Sequence, residues 1–350
     1  MNRADHVAAN PDFPWLDAED VSGVTKFLEQ RGWLEPGERV LDCGRAGDGN
    51  MNLTLRVRTN CRSVVVKQAR PWVEKYDHIE APWNRVDFER RFYERVASIP
   101  DVASRMPRLL ASDADARVLM LEYVDGADDF TALYGGATID KPIVAELVKY
   151  VSALHLATRD ERAEQFSNTA MRKLNHTHIF EIPLLEENGV PLEQIENGLS
   201  RAASELRRDE AYLGKTYALG KQYLETGTCL VHGDFFPGSW LWCPRGLFVI
   251  DPEFCFFGSP EVDLGCAIAH MALARQDRAP VNAILEGYDQ ASGGSGVEAG
   301  LVARYAAVEV MRRLIGVAQL PIPASDGWRA ELLLRSRSAM LDSSWELLWT

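Results

Sequence analysis

The sequence predicts a two-lobed α+β protein, with a small antiparallel sheet in the N-terminal lobe and a larger, mainly helical C-terminal lobe. Three observations carry this prediction. β-like runs dominate the first part of the chain, with one helix among them. Helical spacing takes over beyond about residue 125. Two short apolar strands ending in polar clusters, "CLVHGDFF" and "GLFVIDPEF", interrupt the helical part. At 350 residues the chain is long enough for two cores. The expected division is an N-lobe of residues 1–124 and a C-lobe of residues 125–350, with a cleft between them.

"DAEDVSGVTKFLEQRG" (17–32) reads as a helix with Asp17 as N-cap, a stripe of Val21, Val24, Phe27 and Leu28, and Gly32 as its stop. The stretch "RVLDCGRAGDGNMNLTLRV" (39–57) allows two readings. A glycine loop that opens a helix and returns through a crossover to a parallel strand suits a nucleotide fold of the S-adenosylmethionine methyltransferase kind. A glycine loop between two strands suits a hairpin roofing the phosphates of ATP. The residues after Asn50 favour the hairpin, because "NLTLRV" (52–57) alternates and the short link "RTNCR" leads straight into "SVVVKQA" (63–69). The second strand ends in Lys67, a cation suited to phosphate oxygens, although a strand with a surface lysine fits the same residues.

"RVDFERRFYERVA" (85–97) has helical spacing, and "ARVLMLEYVDG" (116–126) is a strand running into a glycine bend. From Asp140 a capped helix begins, with a proline in its first turn. Residues 160–226 are helical in composition but carry no readable chemistry. The remainder is helical, broken by "ASGGSG" (291–296) and closed by a tryptophan-containing tail.

Composition narrows the function. With 46% hydrophobic and 25% charged residues, disorder is not the default. A net charge of −13 argues against nucleic acid or an anionic membrane as partner, since either wants a basic face. The N-terminal stretch "MNRADHVAANPDFPWLDAED" has no apolar core of signal-peptide length, and no later stretch is expected to span a bilayer. The six cysteines include no C-x-x-C pair and are expected to be reduced thiols, so a cytoplasmic protein is expected.

The chemistry-bearing cluster is "LVHGDFFPGSWLW" with "LFVIDPEFCFFG". These strands deliver His232, Asp234 and Ser239 at one place, then Asp251 and Glu253 at another. Phosphoryl transfer needs one carboxylate to orient a hydroxyl and accept its proton, and others to hold Mg²⁺ on the triphosphate. A hairpin-like pair of strands would present both acids together. Either motif alone also fits a plain turn or a loop of solvated acids.

"GDGNMN", "VVVKQA", "HGDFFPGS", "DPEFCFFG" and "VEVMRRLIGVAQ" together resemble the corresponding blocks of the 5-methylthioribose kinases. That family lies within the wider aminoglycoside-phosphotransferase and choline-kinase-like group, and the blocks run from about residue 44 to 320. The resemblance implies a protein-kinase-like fold and transfer of a phosphoryl group from MgATP to the anomeric hydroxyl of a small-molecule sugar. It also implies a homodimer.

On these positions it implies that Asp48, Gly49 and Asn50 form the phosphate flap. Lys67 would pair with the α- and β-phosphates and be held by Glu89, which otherwise reads as one of several solvated acids on a charged helix. The backbone of Glu122 and Val124 would meet adenine. Asp234 would be the catalytic carboxylate, Asp251 and Glu253 the metal ligands, and His232 structural. Arg312 and Arg313 would bind sugar hydroxyls. Without the resemblance they read as a solvated pair, since neighbours on a helix diverge by about 100°.

The chain departs from the group where Ser239 replaces an asparagine that holds a second metal, and it is shorter than is typical of the family. Trp83 is the counterpart of a site-closing tryptophan loop or an ordinary packing aromatic. Antibiotics or other sugar alcohols remain alternative acceptors, and a non-catalytic kinase-like binding module is the rival outside enzymes.

Overall fold

Leu53, Leu55, Val57 and Thr59 are buried while Arg56 and Arg58 are exposed, and this alternation makes 53–59 a half-buried strand. It is the second strand of the sheet around which the first part of the chain is built. The computed structural model describes residues 3–47, 51–161, 164–294 and 296–349. They fall into two units, Met1–Ala127 and Asp128–Thr350.

In the N-terminal unit the strands are β1 (Val40–Arg45), β2 (Leu53–Thr59), β3 (Ser63–Gln68), β4 (Trp72–Val73), β5 (Tyr76–Glu80), β6 (Leu109–Asp113) and β7 (Val118–Glu122). Five of them form one sheet in the order β1-β2-β3-β7-β6. Every neighbouring pair in it is antiparallel. The glycine stretch therefore joins antiparallel strands, with Arg45 opposite Leu55, and the parallel crossover of the methyltransferase reading is ruled out. β4 and β5 form a separate small hairpin that sequence periodicity does not announce.

The helix Val21–Gln30 lays Val24, Phe27 and Leu28 onto Leu55, Val57, Val66 and Met120 of the sheet. Its N-cap is Asp20 rather than Asp17. The Asp20 carboxylate accepts the Gly23 N–H at 2.8 Å, whereas the one backbone N–H that the Asp17 carboxylate accepts among the described residues is that of Glu19, one turn too early.

In the C-terminal unit β8 (Asp128–Asp129), β9 (Cys229–Val231), β10 (Trp240–Cys243), β11 (Gly246–Val249) and β12 (Phe256–Gly258) lie among helices. β10 pairs with β11 and β8, and β12 pairs with β9. The expected partnership of "LVHGDFFPGSWLW" with "LFVIDPEFCFFG" as one hairpin-like pair is thus corrected: β9 and β10 lie along the first and β11 and β12 along the second, and the four short strands pair in two antiparallel ribbons. Each motif spans the end of one strand and the start of another, so no single hairpin can hold both.

The core of this unit is the packing of helix Glu261–Leu273 against helix Ala299–Ile315. The second is buried on every side from Tyr305 to Ile315, because its polar positions find partners inside the protein. Among the described residues all six cysteines are free thiols, and no helix is long and apolar enough to cross a membrane. If Asp20 is the cap, Asp20→Ala should lower stability by about 1 kcal/mol in urea unfolding, while Asp17→Ala should change it by about half of that or less.

Candidate active site

In the N-terminal unit the chemistry gathers where β3 faces the helix Arg85–Val96. Lys67 is buried and its Nζ lies 3.0 Å and 2.9 Å from the two Glu89 carboxylate oxygens. Glu89 is fully buried, so it is not a solvated helix acid. An ion pair this deep persists because each charge answers the other; removing one partner leaves the second uncompensated.

The next residue has a structural duty. Gln68 accepts the Leu16 N–H at 3.0 Å and donates to the Pro14 and Ala116 carbonyls, tying the chain before the first core helix to the sheet. Arg85, wholly buried, donates to the Met51 carbonyl at 2.7 Å and to Asn52 Oδ1 at 2.8 Å, which anchors the returning side of the glycine stretch. Trp83 donates to the Ala69 carbonyl at 3.0 Å and stacks on Trp15, with ring centroids 5.6 Å apart; within this unit it is a packing aromatic. Glu122 ends β7 with its N–H given to the Arg108 carbonyl, and Val124 lies buried two residues on. Asp48, Gly49 and Asn50 lie outside the described residues.

In the C-terminal unit two loops stand side by side. Val231 pairs with Phe256 in one ribbon and Trp240 with Val249 in the other. The chain between, 232–239 on one side and 250–255 on the other, is therefore held at both ends. Three further contacts join the loops. His232 Nε2 donates to the Ile250 carbonyl at 2.9 Å, and the Ile250 N–H donates to the Ser239 carbonyl at 3.0 Å. Gly233 sits at φ +84°, where a Cβ would fall 2.3 Å from the Phe254 carbonyl oxygen. Glycine is needed there both for its conformation and for the close approach. The carboxylate of Asp234 is thus carried on the loop fastened to the one bearing Asp251 and Glu253.

Asp251 itself is left-handed, with φ 62° and ψ 52°, a conformation that costs a non-glycine residue about 1–3 kcal/mol. Asn168 helps to impose it, donating from Nδ2 to the carbonyls of Glu253 and Cys255, both at 2.9 Å. Asp251 and Glu253 together offer hard carboxylate oxygens, the donor set that Mg²⁺ accepts.

The first loop rests on Asp263. Its carboxylate accepts the N–H of His232 at 2.7 Å, the N–H of Gly233 at 2.9 Å and Nε2–H of His155 at 3.0 Å. Tyr288 in turn meets His155 Nδ1 at 3.1 Å. Burial acts to raise the Asp263 carboxyl, but the His155 bond and the histidine charges prevail and hold it below the usual aspartate range.

Arg312 and Arg313 are both buried, which overturns the reading of a solvated pair. Although adjacent on the helix, their side chains converge on Glu309 one turn earlier. Arg313 Nε donates to its Oε1 at 2.6 Å and Arg312 Nη1 to its Oε2 at 3.1 Å. Both then reach Asp234 Oδ1, Arg313 Nη2 at 3.4 Å and Arg312 Nη1 at 3.9 Å. The Arg312 Nε–H is buried and meets no acceptor among the described residues. Burial pushes the Asp234 carboxyl above its ordinary range, against the pull of Arg313 and then Arg312. Burial opposes ionisation of Glu309 as well, yet the two guanidiniums hold it well below the usual range.

The structure thus brings together Lys67 with Glu89, and Asp234 with Arg312 and Arg313, on a loop locked to that of Asp251 and Glu253. Sequence reasoning missed Asp263, Glu309, Asn168 and His155. Only Glu309 had a local signal, since it stands three and four residues before the two arginines.

Residues 42–300 match the phosphotransferase enzyme family (APH). Among curated proteins, methylthioribose kinase 1 of Oryza sativa subsp. japonica is 26% identical over 250 residues, covering 67% of this chain and 56% of that protein. The methylthioribose kinase of Bacillus thuringiensis subsp. konkukian (strain 97-27) is 24% identical over 274 residues, covering 73% of this chain and 66% of that one. The chain thus spans less than two thirds of the length of these relatives.

Among solved structures, choline kinase LicA from Streptococcus pneumoniae has 14% identity and a TM-score of 0.54, covering 91% of this chain and 99% of that one. LicA in complex with AMP gives a TM-score of 0.56 at 14% identity, covering 94% and 100%. These likenesses show the fold, which is kinase-like: an antiparallel sheet in the first unit and a mainly helical second.

The Asp263 anchor carries a testable consequence. Asp263→Asn would point an amide at backbone N–H groups and should cost about 2–4 kcal/mol in urea unfolding at pH 7. Because the folded carboxyl sits below its unfolded range, its contribution is complete above about pH 4 and is lost as pH falls through the folded value. The gap between wild type and variant should therefore close in acid.

Proposed function

The chain belongs to the phosphotransferase enzyme family, and we propose that it is an ATP-dependent small-molecule kinase acting on a sugar hydroxyl. The acceptor we favour is O1 of 5-methylthioribose or a related 5-substituted ribose. The observation that carries this reading is the placement of Asp234 beside two buried arginines, on a loop fastened to the loop of Asp251 and Glu253.

In this reading Asp234 orients the acceptor hydroxyl and takes its proton as the oxygen attacks the γ-phosphorus. Its raised carboxyl suits a proton acceptor working near neutral pH. Arg312, with its unpaired buried Nε–H, donates to a sugar hydroxyl oxygen, and Arg313 steadies the Asp234 carboxylate from the other side. Lys67, held by Glu89, binds the α- and β-phosphate oxygens. The flap of Asp48, Gly49 and Asn50 covers the phosphates, and the Glu122 carbonyl and Val124 N–H meet adenine. Asp251 and Glu253 hold Mg²⁺, which when bound offsets charge on the transferring phosphoryl group. His232 takes no part in proton transfer, because its ring is committed to the Ile250 carbonyl and the Asp234 N–H.

The names of the curated relatives support the acceptor, and the buried arginines add to that support. Two guanidiniums beside the proton acceptor offer N–H donors to the hydroxyl oxygens of a polyol. The two units are read as the two lobes of such a kinase. By family analogy it assembles as a homodimer and works in the cytoplasm on a small-molecule sugar substrate.

ADP release should be measured with methylthioribose, 5-deoxyribose, ribose and an aminoglycoside panel. Release with the 5-substituted riboses is expected; release with aminoglycosides alone, or with no acceptor, defeats the reading. Asp234→Asn should keep ATP binding but cut turnover by at least ~10². The acid limb of the wild-type rate profile should lie above the ordinary aspartate range, since only the ionised carboxylate accepts the proton.

A further inference from the structure

Glu309 has no place in the proposed reaction, yet it is the most heavily engaged carboxylate beside Asp234. It receives Arg313 Nε at 2.6 Å, Arg312 Nη1 at 3.1 Å and His270 Nε2 at 3.2 Å. His270 donates that proton from a neutral ring, since burial pushes its pKa down to about 4. Its Nδ1 therefore accepts the Tyr134 hydroxyl at 2.5 Å. The chain Tyr134–His270–Glu309 fixes the carboxylate from behind, and the Phe236 ring, 4.9 Å below the Arg313 guanidinium, fixes that cation from below.

The charges in this cluster balance: two guanidiniums face two carboxylates. The sharing is unequal. Glu309 holds the short contacts, 2.6 and 3.1 Å, and Asp234 the long ones, 3.4 and 3.9 Å. Without Glu309 both cations would converge on Asp234 alone. Opposite charge at such range lowers a carboxyl pKa by about 1–3 units, and a carboxylate locked into two close ion pairs is a poor proton acceptor.

We propose that Glu309 is a positioning residue, which holds both guanidiniums in place and takes up enough of their charge to leave Asp234 free to accept a proton. This deepens the reading of Asp234 as the proton acceptor and rests on it for its purpose, though not for its test.

Other groups also face Asp234. His232 does so from its own loop, Cys266 from helix Glu261–Leu273, Tyr134 from the turn Thr131–Gly135 and Tyr223 from the end of helix Glu210–Tyr223. Burial raises the thiol and both phenols well above their ordinary values, so they stay uncharged across the neutral range.

The test is a pH titration of the full chain labelled with ¹³C-carboxyl aspartate, with the Asp234 resonance identified by its absence in Asp234→Asn. Glu309→Gln is expected to lower the Asp234 midpoint by about one pH unit or more. An unchanged or raised midpoint overturns the proposal, because a purely structural glutamate would leave the midpoint where it is. Should Glu309→Gln fail to fold, Glu309→Asp keeps the charge but draws it back from both guanidiniums by one methylene; the midpoint should fall by less than in the full replacement, and an unchanged or raised midpoint overturns the proposal. The titration needs no acceptor. Lack of turnover with every sugar would therefore count against the proposed function, while the midpoint alone decides the role of Glu309.

Discussion

Asp263 accepts two consecutive backbone N–H groups and an imidazole N–H inside the C-terminal unit, and the position of the loop carrying Asp234 depends on it. The donors belong to His232, Gly233 and His155, so one carboxylate fixes the entry to that loop. The His232 ring then passes the constraint across to Ile250, and the second loop, with Asp251 and Glu253, is held to the first. Short strands are weak on their own; β9 and β12 have three residues each. What makes them rigid here is a buried anion whose desolvation is offset by donors that have nowhere else to go.

The same logic governs the other charges. Lys67 with Glu89, and Glu309 with Arg312 and Arg313, are ion pairs taken out of water and matched by geometry. Such pairs contribute little net stability compared with apolar packing, but they hold long side chains in one place. Under the proposed function that is their use, because phosphoryl transfer depends on where charges are held more than on covalent partners.

Much of this was legible in the chain. The alternation of 52–57 and the short link to 63–69 specify an antiparallel sheet, and the structure bears that out. Lys67, Asp234 and Asp251 are motif residues that the sequence displays openly, whereas Glu89 stood out from the other acids of its helix only through the family resemblance. What stayed hidden depends on distance along the chain. Asp263 lies 31 residues from His232 and 108 from His155, and Asn168 lies 85 from Glu253, so no local pattern links them. Periodicity also misjudged Arg312 and Arg313. It measures one face of a helix, whereas Ala299–Ile315 is buried all round and its polar residues satisfy one another. The cap moved from Asp17 to Asp20 for a smaller reason: both are aspartates before a helix, and only the backbone turn decides which one reaches a free N–H.

The central claim is that this arrangement moves a phosphoryl group onto a sugar hydroxyl. It is tested most directly by ³¹P NMR of the wild-type chain incubated with ATP, Mg²⁺ and 5-methylthioribose. The account predicts a new phosphomonoester resonance coupled to the anomeric proton, growing in step with ADP. A phosphorus signal limited to ATP, with the sugar unchanged while nucleotide binding is intact, would contradict it.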